Sequence, residues 1–361
     1  MKNRFDYIDA LRGWAIIGVI VTHVSSIISY KGLLSPLTSI GGLGVQLFFL
    51  VSAFTIFYTL GRSQGKEKFV IRNFFIKRLM RIAPIYWLGI VVYTLVFGLE
   101  SRGWLPGPEV WHYPLHFSFT NLLHPETPSS VVPGGWSISC EVIFYLICPL
   151  LFLLVKNQKQ AFIFVLLSIL SGILFLYLTS TYFLDSLSTE FGQKLSQQFF
   201  YRNIVSQLGC FSFGILLYYT LIDGKYDSLL SKKRYSLVLL LLGVICFGLI
   251  KFVSFGYHYI AALSFFLMAL SICKVRNPII VNGPVIFLGK ISYSAYISHF
   301  LVIYGLKSIF GFEEFYTLTI FTFILVIPVS YLSHIIIEKN FTKLGRAIIE
   351  NREKSTAPVI A

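Results

Sequence analysis

The chain has 361 residues, 56% of them hydrophobic and 13% charged, about half the charged share of an ordinary soluble domain. A soluble core of this size cannot take in that much apolar surface and a bilayer can, so a water-soluble globular fold is excluded. The formal net charge of +14 needs no nucleic acid to account for it, because basic residues gathered at one membrane face serve insertion and meet anionic lipid.

Ten apolar stretches follow one another, at about residues 12–30, 43–60, 82–99, 136–155, 160–179, 206–222, 236–251, 258–273, 284–306 and 316–337. Their lengths suit membrane helices and exceed what a barrel strand needs. The expected fold is therefore all-α, a polytopic integral membrane protein of about ten transmembrane helices. No repeat of 20–50 residues is present, and one membrane domain over residues 1–345 is expected, with a cytoplasmic tail over 346–361 that looks disordered after Ile349. Twenty-two Lys and Arg, among them Lys2, Arg4 and seven in 61–81, fall on one side of these spans and six on the other. By the positive-inside rule both termini face the cytoplasm. Residues 1–25 have a basic start and an apolar run, yet no small-residue cleavage site follows, so an uncleaved first span is expected. The five cysteines lie in apolar spans without paired spacing, which indicates neither a disulfide framework nor a metal site.

The first span carries Asp9, Arg12 and His23. Asp9 and Arg12 are three apart on one helical face and can pair. The eleven steps from Arg12 to His23 cover about 16 Å, which would put Arg12 at a headgroup level and His23 near the midplane. An ionisable group inside a membrane helix marks function by default, and an imidazole is suited to proton exchange near neutral pH; packing against a neighbouring helix is the plainer account. Gly41-Gly42-Leu43-Gly44 has no preceding strand and no following Lys, so it is not a phosphate loop and instead lets the second span begin and pack closely. In the basic stretch, Arg78 and Arg81 share a face if helical. Paired guanidiniums grip phosphate, but on the residues alone cytoplasmic anchoring is the stronger reading.

His112, His116 and His124 fall in a proline-rich loop at loose spacing, and a metal site is not expected there. Trp136 opens the fourth span and suits the aromatic belt. Ser137 and Glu141, four apart, share a face about one turn inward; a carboxylate at that depth must pair or meet a polar cavity. In the ninth span, His299 reaches the outer half, where core packing and substrate contact are equally open.

Together these pieces resemble the acyltransferase 3 family of membrane-bound O-acyltransferases, bacterial enzymes that acylate surface glycans. The resemblance covers Asp6 to about Phe341. It rests on Ile8-Asp9-Ala10-Leu11-Arg12-Gly13 followed by His23, on Gly44 to Ser52, on Arg78-Leu-Met-Arg81, on Trp136-Ser137-Ile-Ser139-Cys-Glu141 with Phe144-Tyr145, and on Gly289 to His299. The chain departs from the family pattern at Val142, where a second acid is frequent, and at Ala53, where glycine is favoured. No appended hydrolase-like domain is found, so a stand-alone member is expected.

The resemblance implies a multi-pass enzyme of the bacterial plasma membrane. It would take an acyl group, foremost acetyl, from cytoplasmic acyl-CoA to a hydroxyl of a polysaccharide or lipid-linked sugar of the cell envelope. His23, with Arg12 and Glu141, would form the catalytic group. Arg78 and Arg81 would hold the donor's phosphates, and Trp136, Ser137, Ser139, Tyr145 and His299 the acceptor, with Trp136, Ser137 and Glu141 approaching from the face opposite the donor. No metal is expected, and the partners are the acceptor and membrane lipids. A transporter or flippase for a glycan or lipid-linked substrate is the competing class, since ten helices with intramembrane charges can also line a path. Against it, the sequence has neither a repeat nor paired broken helices.

Overall fold

A computed structural model describes residues 5–102 and 107–355. Lys2 and Arg4, with residues 356–361 of the expected tail, lie outside these described residues. Within them every regular element is helical: α1 (Asp6–Ile27), α2 (Ser35–Thr38), α3 (Gly44–Ser63), α4 (Val70–Phe97), α5 (His112–Phe117), α6 (Gly135–Leu154), α7 (Gln158–Tyr182), α8 (Leu184–Phe191), α9 (Gln193–Arg202), α10 (Ile204–Ile222), α11 (Asp227–Leu230), α12 (Lys233–Leu249), α13 (Tyr257–Ile272), α14 (Gly283–Lys290), α15 (Ser292–Phe310), α16 (Phe315–Ser333) and α17 (Lys339–Ser355). Among the described residues eight helical stretches are long and apolar enough to cross a bilayer, or nine if the bent pair α14–α15 is one span, and α13 is a shorter apolar helix. Each apolar stretch of the sequence is thus helical, and the chain is a polytopic all-α membrane protein.

Polar side chains decide which helices go to the centre. In lipid a polar group finds its hydrogen-bond partner on another helix. The Gln46 amide on α3 donates to Gln207 Oε1 on α10 at 3.0 Å, and Ser168 on α7 donates to Ser212 on α10 at 2.9 Å. The apolar stretches ending in α3 and α10 are accordingly 72% and 78% buried, whereas that of α12, with Leu237, Leu241 and Ile245 exposed, is 11% buried and faces lipid.

Helix α1 is clasped to α14 at two glycines. A Cβ on Gly13 would stand 2.1 Å from the Val285 carbonyl oxygen, and one on Gly289 would stand 1.8 Å from that of Asp9. Only bare backbones approach so closely. The helix then stops at Ile291, and α15 leaves at 81° to α14, so the expected single span 284–306 is a broken one. The bend leaves Lys290 exposed while α15 carries Tyr296 and His299 into the core.

Two boundaries differ from expectation in a way that matters. Helix α1 begins at Asp6, which sets Arg12 about 9 Å inside the helix and His23 only about 6 Å from its far end. Arg12 is therefore not at a headgroup level, nor His23 at the midplane. Helix α4 begins at Val70, twelve residues before the expected span, so Arg78 and Arg81 belong to the bundle. Counting charges ends a span at its first basic residues, yet backbone hydrogen bonding is indifferent to side-chain charge, and the helix runs on through them and through Pro84. Residues 346–355 of the expected tail are helical too. Ile349 on the apolar face of α17 is buried, and buried Asn73 of α4 donates to Glu353 at 2.7 Å.

The segment 107–134 folds into a cap over the end of the bundle away from α17. His116 donates from Nε2 to the Thr127 carbonyl at 2.8 Å and pairs through Nδ1 with the Tyr86 hydroxyl at 2.8 Å. Burial drives its pKa down to about 3, so it stays neutral. Among the described residues no three His, Cys, Asp or Glu side chains are grouped to hold a metal ion.

The clasp yields a stability test. Gly289→Ala pushes a methyl group into the Asp9 carbonyl and should cost about 1–3 kcal/mol or more. Gly305→Ala, where no atom lies within 4 Å of the added carbon, should be neutral to within about 0.5 kcal/mol. Thermal unfolding of both variants in one detergent checks this; equal midpoints would dismiss the clasp.

Candidate active site

Three arginines converge on one small cavity. Arg12 of α1, Arg78 and Arg81 of α4, and Ser137, Glu141 and Tyr145 of α6 line a space of about 70 Å³, closed off by α3 and α15. The Arg12 guanidinium donates to Asp9 at 3.2 Å and to the Thr55 hydroxyl at 3.3 Å, so the pairing expected from sequence forms. The Arg78 guanidinium lies against the rings of Phe74 and Tyr145, 5.6 and 5.5 Å from their centroids. Glu141 is the carboxylate of this wall; it accepts from Ser52 and, at 2.6 Å, from the Tyr145 hydroxyl. Three guanidiniums face one lining carboxylate here. Buried charge that is not balanced within the protein calls for a counter-ion, and guanidinium groups suit phosphate oxygens.

A second cavity, about 630 Å³, lies between this wall and the cap, and His23, Trp136, Arg202 and Tyr296 are part of its lining. Val45 and Tyr296 line both spaces and separate them. The Tyr296 hydroxyl is fixed by Ser137, which donates to it at 2.8 Å, and by the Gly134 carbonyl at 3.1 Å. Gly134 has φ +77°, and a Cβ there would press on that hydroxyl at 3.0 Å, so glycine lets the loop pass over the ring.

His23 sits on the floor of the larger cavity, and its hydrogen bonds assign its protons. His299 Nδ1 is 2.7 Å from the Tyr296 carbonyl and 3.2 Å from that of Ala295. A carbonyl only accepts, so Nδ1 of His299 carries the hydrogen and its Nε2 bears the lone pair. That lone pair faces His23 Nδ1 at 2.9 Å. His23 therefore donates from Nδ1 and keeps its own lone pair on Nε2. Phe300, with its ring centroid 4.3 Å from that of His23, packs on the same imidazole. A base held through its second nitrogen by a fixed partner is a recurring catalytic device.

The structure thus sorts the residues picked out in the sequence. Arg12, Arg78, Arg81, Ser137, Glu141 and Tyr145 share the arginine cavity, while His23 and Trp136 belong to the larger one. Ser137 and Glu141 are consequently not on the face opposite the arginines, because each turn of α6 beyond Trp136 moves about 5.4 Å toward the end where α17 lies. Trp136 is buried rather than in a lipid-facing belt, with the Arg202 guanidinium 5.5 Å from its ring centroid. Ser139 points away from both cavities and bonds Asn121 of the cap. His299 lines neither cavity and instead holds His23. Tyr296, the divider, was not singled out beforehand; the three-residue spacing of Tyr293, Tyr296 and His299 along one helical face was its signal. Arg202 had no local signal at all.

Comparison with known proteins agrees with the motifs. The family model described as an acyltransferase domain matches residues 5–337. The acyltransferase MdmB of Streptomyces mycarofaciens is 25% identical over 162 residues, covering 43% of this chain and 41% of its own. A protein named as an acetyltransferase, ORF330 of Acidianus two-tailed virus, is 30% identical over 160 residues, covering 44% of each chain. The matched region spans less than half the length of either relative. No solved structure matches the chain significantly. With its motifs in order on ten apolar helices and a family match over nearly its whole length, the chain belongs to the acyltransferase domain family.

Proposed function

We propose that this protein is a membrane O-acyltransferase of the bacterial plasma membrane. It moves an acyl group, foremost acetyl, from cytoplasmic acyl-CoA to a hydroxyl of a cell-surface or lipid-linked glycan. The observation that carries the reading is the placement of His23. Its proton-accepting nitrogen belongs to a cavity large enough for a small-molecule acceptor, and a single tyrosine-lined wall separates that cavity from three arginines suited to a phosphorylated donor.

In this reading Arg12, Arg78 and Arg81 hold the donor's phosphates at the end of the bundle where α17 lies, which the positive-inside rule makes cytoplasmic. Glu141 fixes Ser52 and Tyr145 and moderates the positive charge. The acceptor enters from the capped end and presents a hydroxyl to His23 Nε2. As the hydroxyl oxygen bonds to the thioester carbonyl carbon, Nε2 takes its proton; the carbon–sulfur bond breaks, and the proton passes on to the departing thiolate. General base catalysis of this kind is worth about 10²–10⁴-fold. The arginine cavity of about 70 Å³ admits one phosphoryl group and no more, so the acyl arm must displace the Tyr296 wall to reach His23.

Three outcomes follow for protein reconstituted in lipid and supplied with labelled acetyl-CoA. His23→Ala should lose at least about 10²-fold in transfer rate; a wild-type rate would end the base assignment. His299→Leu removes only the partner, so it should lower kcat with little change in either KM and displace the acid limb of the pH–rate profile, whereas a merely structural residue would leave that limb in place. Arg78→Gln and Arg81→Gln should each raise the donor KM about 10-fold, in line with the loss of a charged hydrogen bond, and leave the acceptor KM near its original value. An unmoved donor KM would separate the arginines from the donor.

A further inference from the structure

The larger cavity has a chemical character that the acyl-transfer reading does not use. Arg102 and Arg202 line it, and no Asp or Glu is among its lining residues. Arg102 is committed to the cap, donating to the carbonyls of Val131 and Gly98. Arg202 ends α9 with its guanidinium against the Trp136 ring, 5.5 Å from the centroid. The cation therefore stands on the same cavity wall as an aromatic plate, with His23 below.

Unmet hydrogen-bonding capacity gathers at the same place. Nine buried side-chain nitrogen or oxygen atoms among the described residues have no hydrogen-bond partner, and four belong to residues lining this cavity: Arg102, Ser129, Gln198 and His258. Buried polar atoms without partners are costly and call for an explanation. Two of the four are acceptors. His258 is 1% exposed and donates from Nε2 to the Ser206 carbonyl at 3.1 Å, which leaves its unpartnered Nδ1 with the lone pair. Gln198 contributes an unpartnered Oε1. Acceptors on a cavity wall suit a ligand rich in hydroxyl donors, and the rings of Trp136, Tyr257 and Tyr304 offer flat apolar surface to the faces of a sugar ring.

We propose that this cavity selects an anionic carbohydrate. Its carboxylate or phosphate group is bound by Arg202 beside Trp136, its hydroxyls meet Gln198 and His258, and one hydroxyl is thereby set over His23. The inference rests on the acyl-transfer reading and narrows its acceptor from glycans in general to those bearing an acidic group. A guanidinium binds either anion through two parallel hydrogen bonds, so a uronic acid and a sugar phosphate are both admitted.

The test separates the two sources and separates selectivity from catalysis. Purified protein in lipid nanodiscs is titrated, without donor, with matched sets of methyl glycoside, methyl glycosiduronate and glycosyl 1-phosphate in the gluco and galacto series. Transfer from labelled acetyl-CoA is then measured on the same compounds. The uronate or the phosphate should bind about 10-fold or more tightly than its neutral counterpart, and whichever does so names the source. Arg202→Gln should bring the ratio near one, and Arg202→Lys should retain part of it; helical content by circular dichroism qualifies each variant. Equal binding of charged and neutral sugars by the wild type, or no binding of any, overturns the proposal. So does a charge preference that survives in folded Arg202→Gln. Charge-selective binding without acyl transfer to any sugar would instead overturn the acyl-transfer reading and leave an anion site of other purpose.

Discussion

A neutral imidazole has one hydrogen and one lone pair, and in this bundle a chain of contacts fixes which nitrogen of His23 has which. The order begins with two backbone carbonyls of α15, which can only accept and so place the hydrogen on His299 Nδ1. It passes through the 2.9 Å contact between the two rings and ends with a basic nitrogen on His23. The arrangement needs no carboxylate beside the base. In a membrane-embedded site a buried carboxylate would carry its own desolvation cost, whereas helix carbonyls one turn back are always at hand. The 81° break before α15 is what turns that helix so that its carbonyl-backed histidine meets the far end of α1.

Around this pair the charges are segregated. Arg12, Arg78 and Arg81 face one small cavity, Arg202 faces a larger one, and Tyr296 with Val45 stands between. Each guanidinium lies deep in a bundle where an unneutralised cation is costly, and each has a partial remedy: Asp9 and Thr55 for Arg12, aromatic rings for Arg78 and Arg202. None of these remedies cancels the positive sign of the two walls. A protein built in this way favours anions at both approaches and keeps them apart until Tyr296 moves. The hydroxyl of that residue is held by Ser137 and by a carbonyl, two neutral bonds worth about 1 kcal/mol each, a modest barrier to displacement.

Much was legible in the residues. The membrane class, the helical fold and the ten apolar segments followed from composition and run length, because a bilayer imposes its thickness on any chain that crosses it. The Asp9–Arg12 pair followed from helical spacing, as did the shared face of Ser137 and Glu141. What spacing could not reach was contact across the chain. Ser139, one residue from a cavity wall by sequence, turns to Asn121 and the cap. His299, 276 residues from His23, is that residue's partner and not a substrate contact. Arg202 lies at the end of a polar helix whose sequence gives no hint that it folds back over Trp136.

Periodicity and hydropathy are local quantities, and so the sequence by itself determined which segments are helices, which of them cross the bilayer and which residues share a face. The tertiary structure alone decided which faces meet. Two glycines let α1 and α14 approach at backbone distance, the break at Ile291 redirects α15, and polar pairs draw α3 and α10 inward. The division of the site into an arginine cavity and an acceptor cavity comes out of those long-range packing choices, since burial and hydrogen-bond satisfaction are settled between helices and not within one.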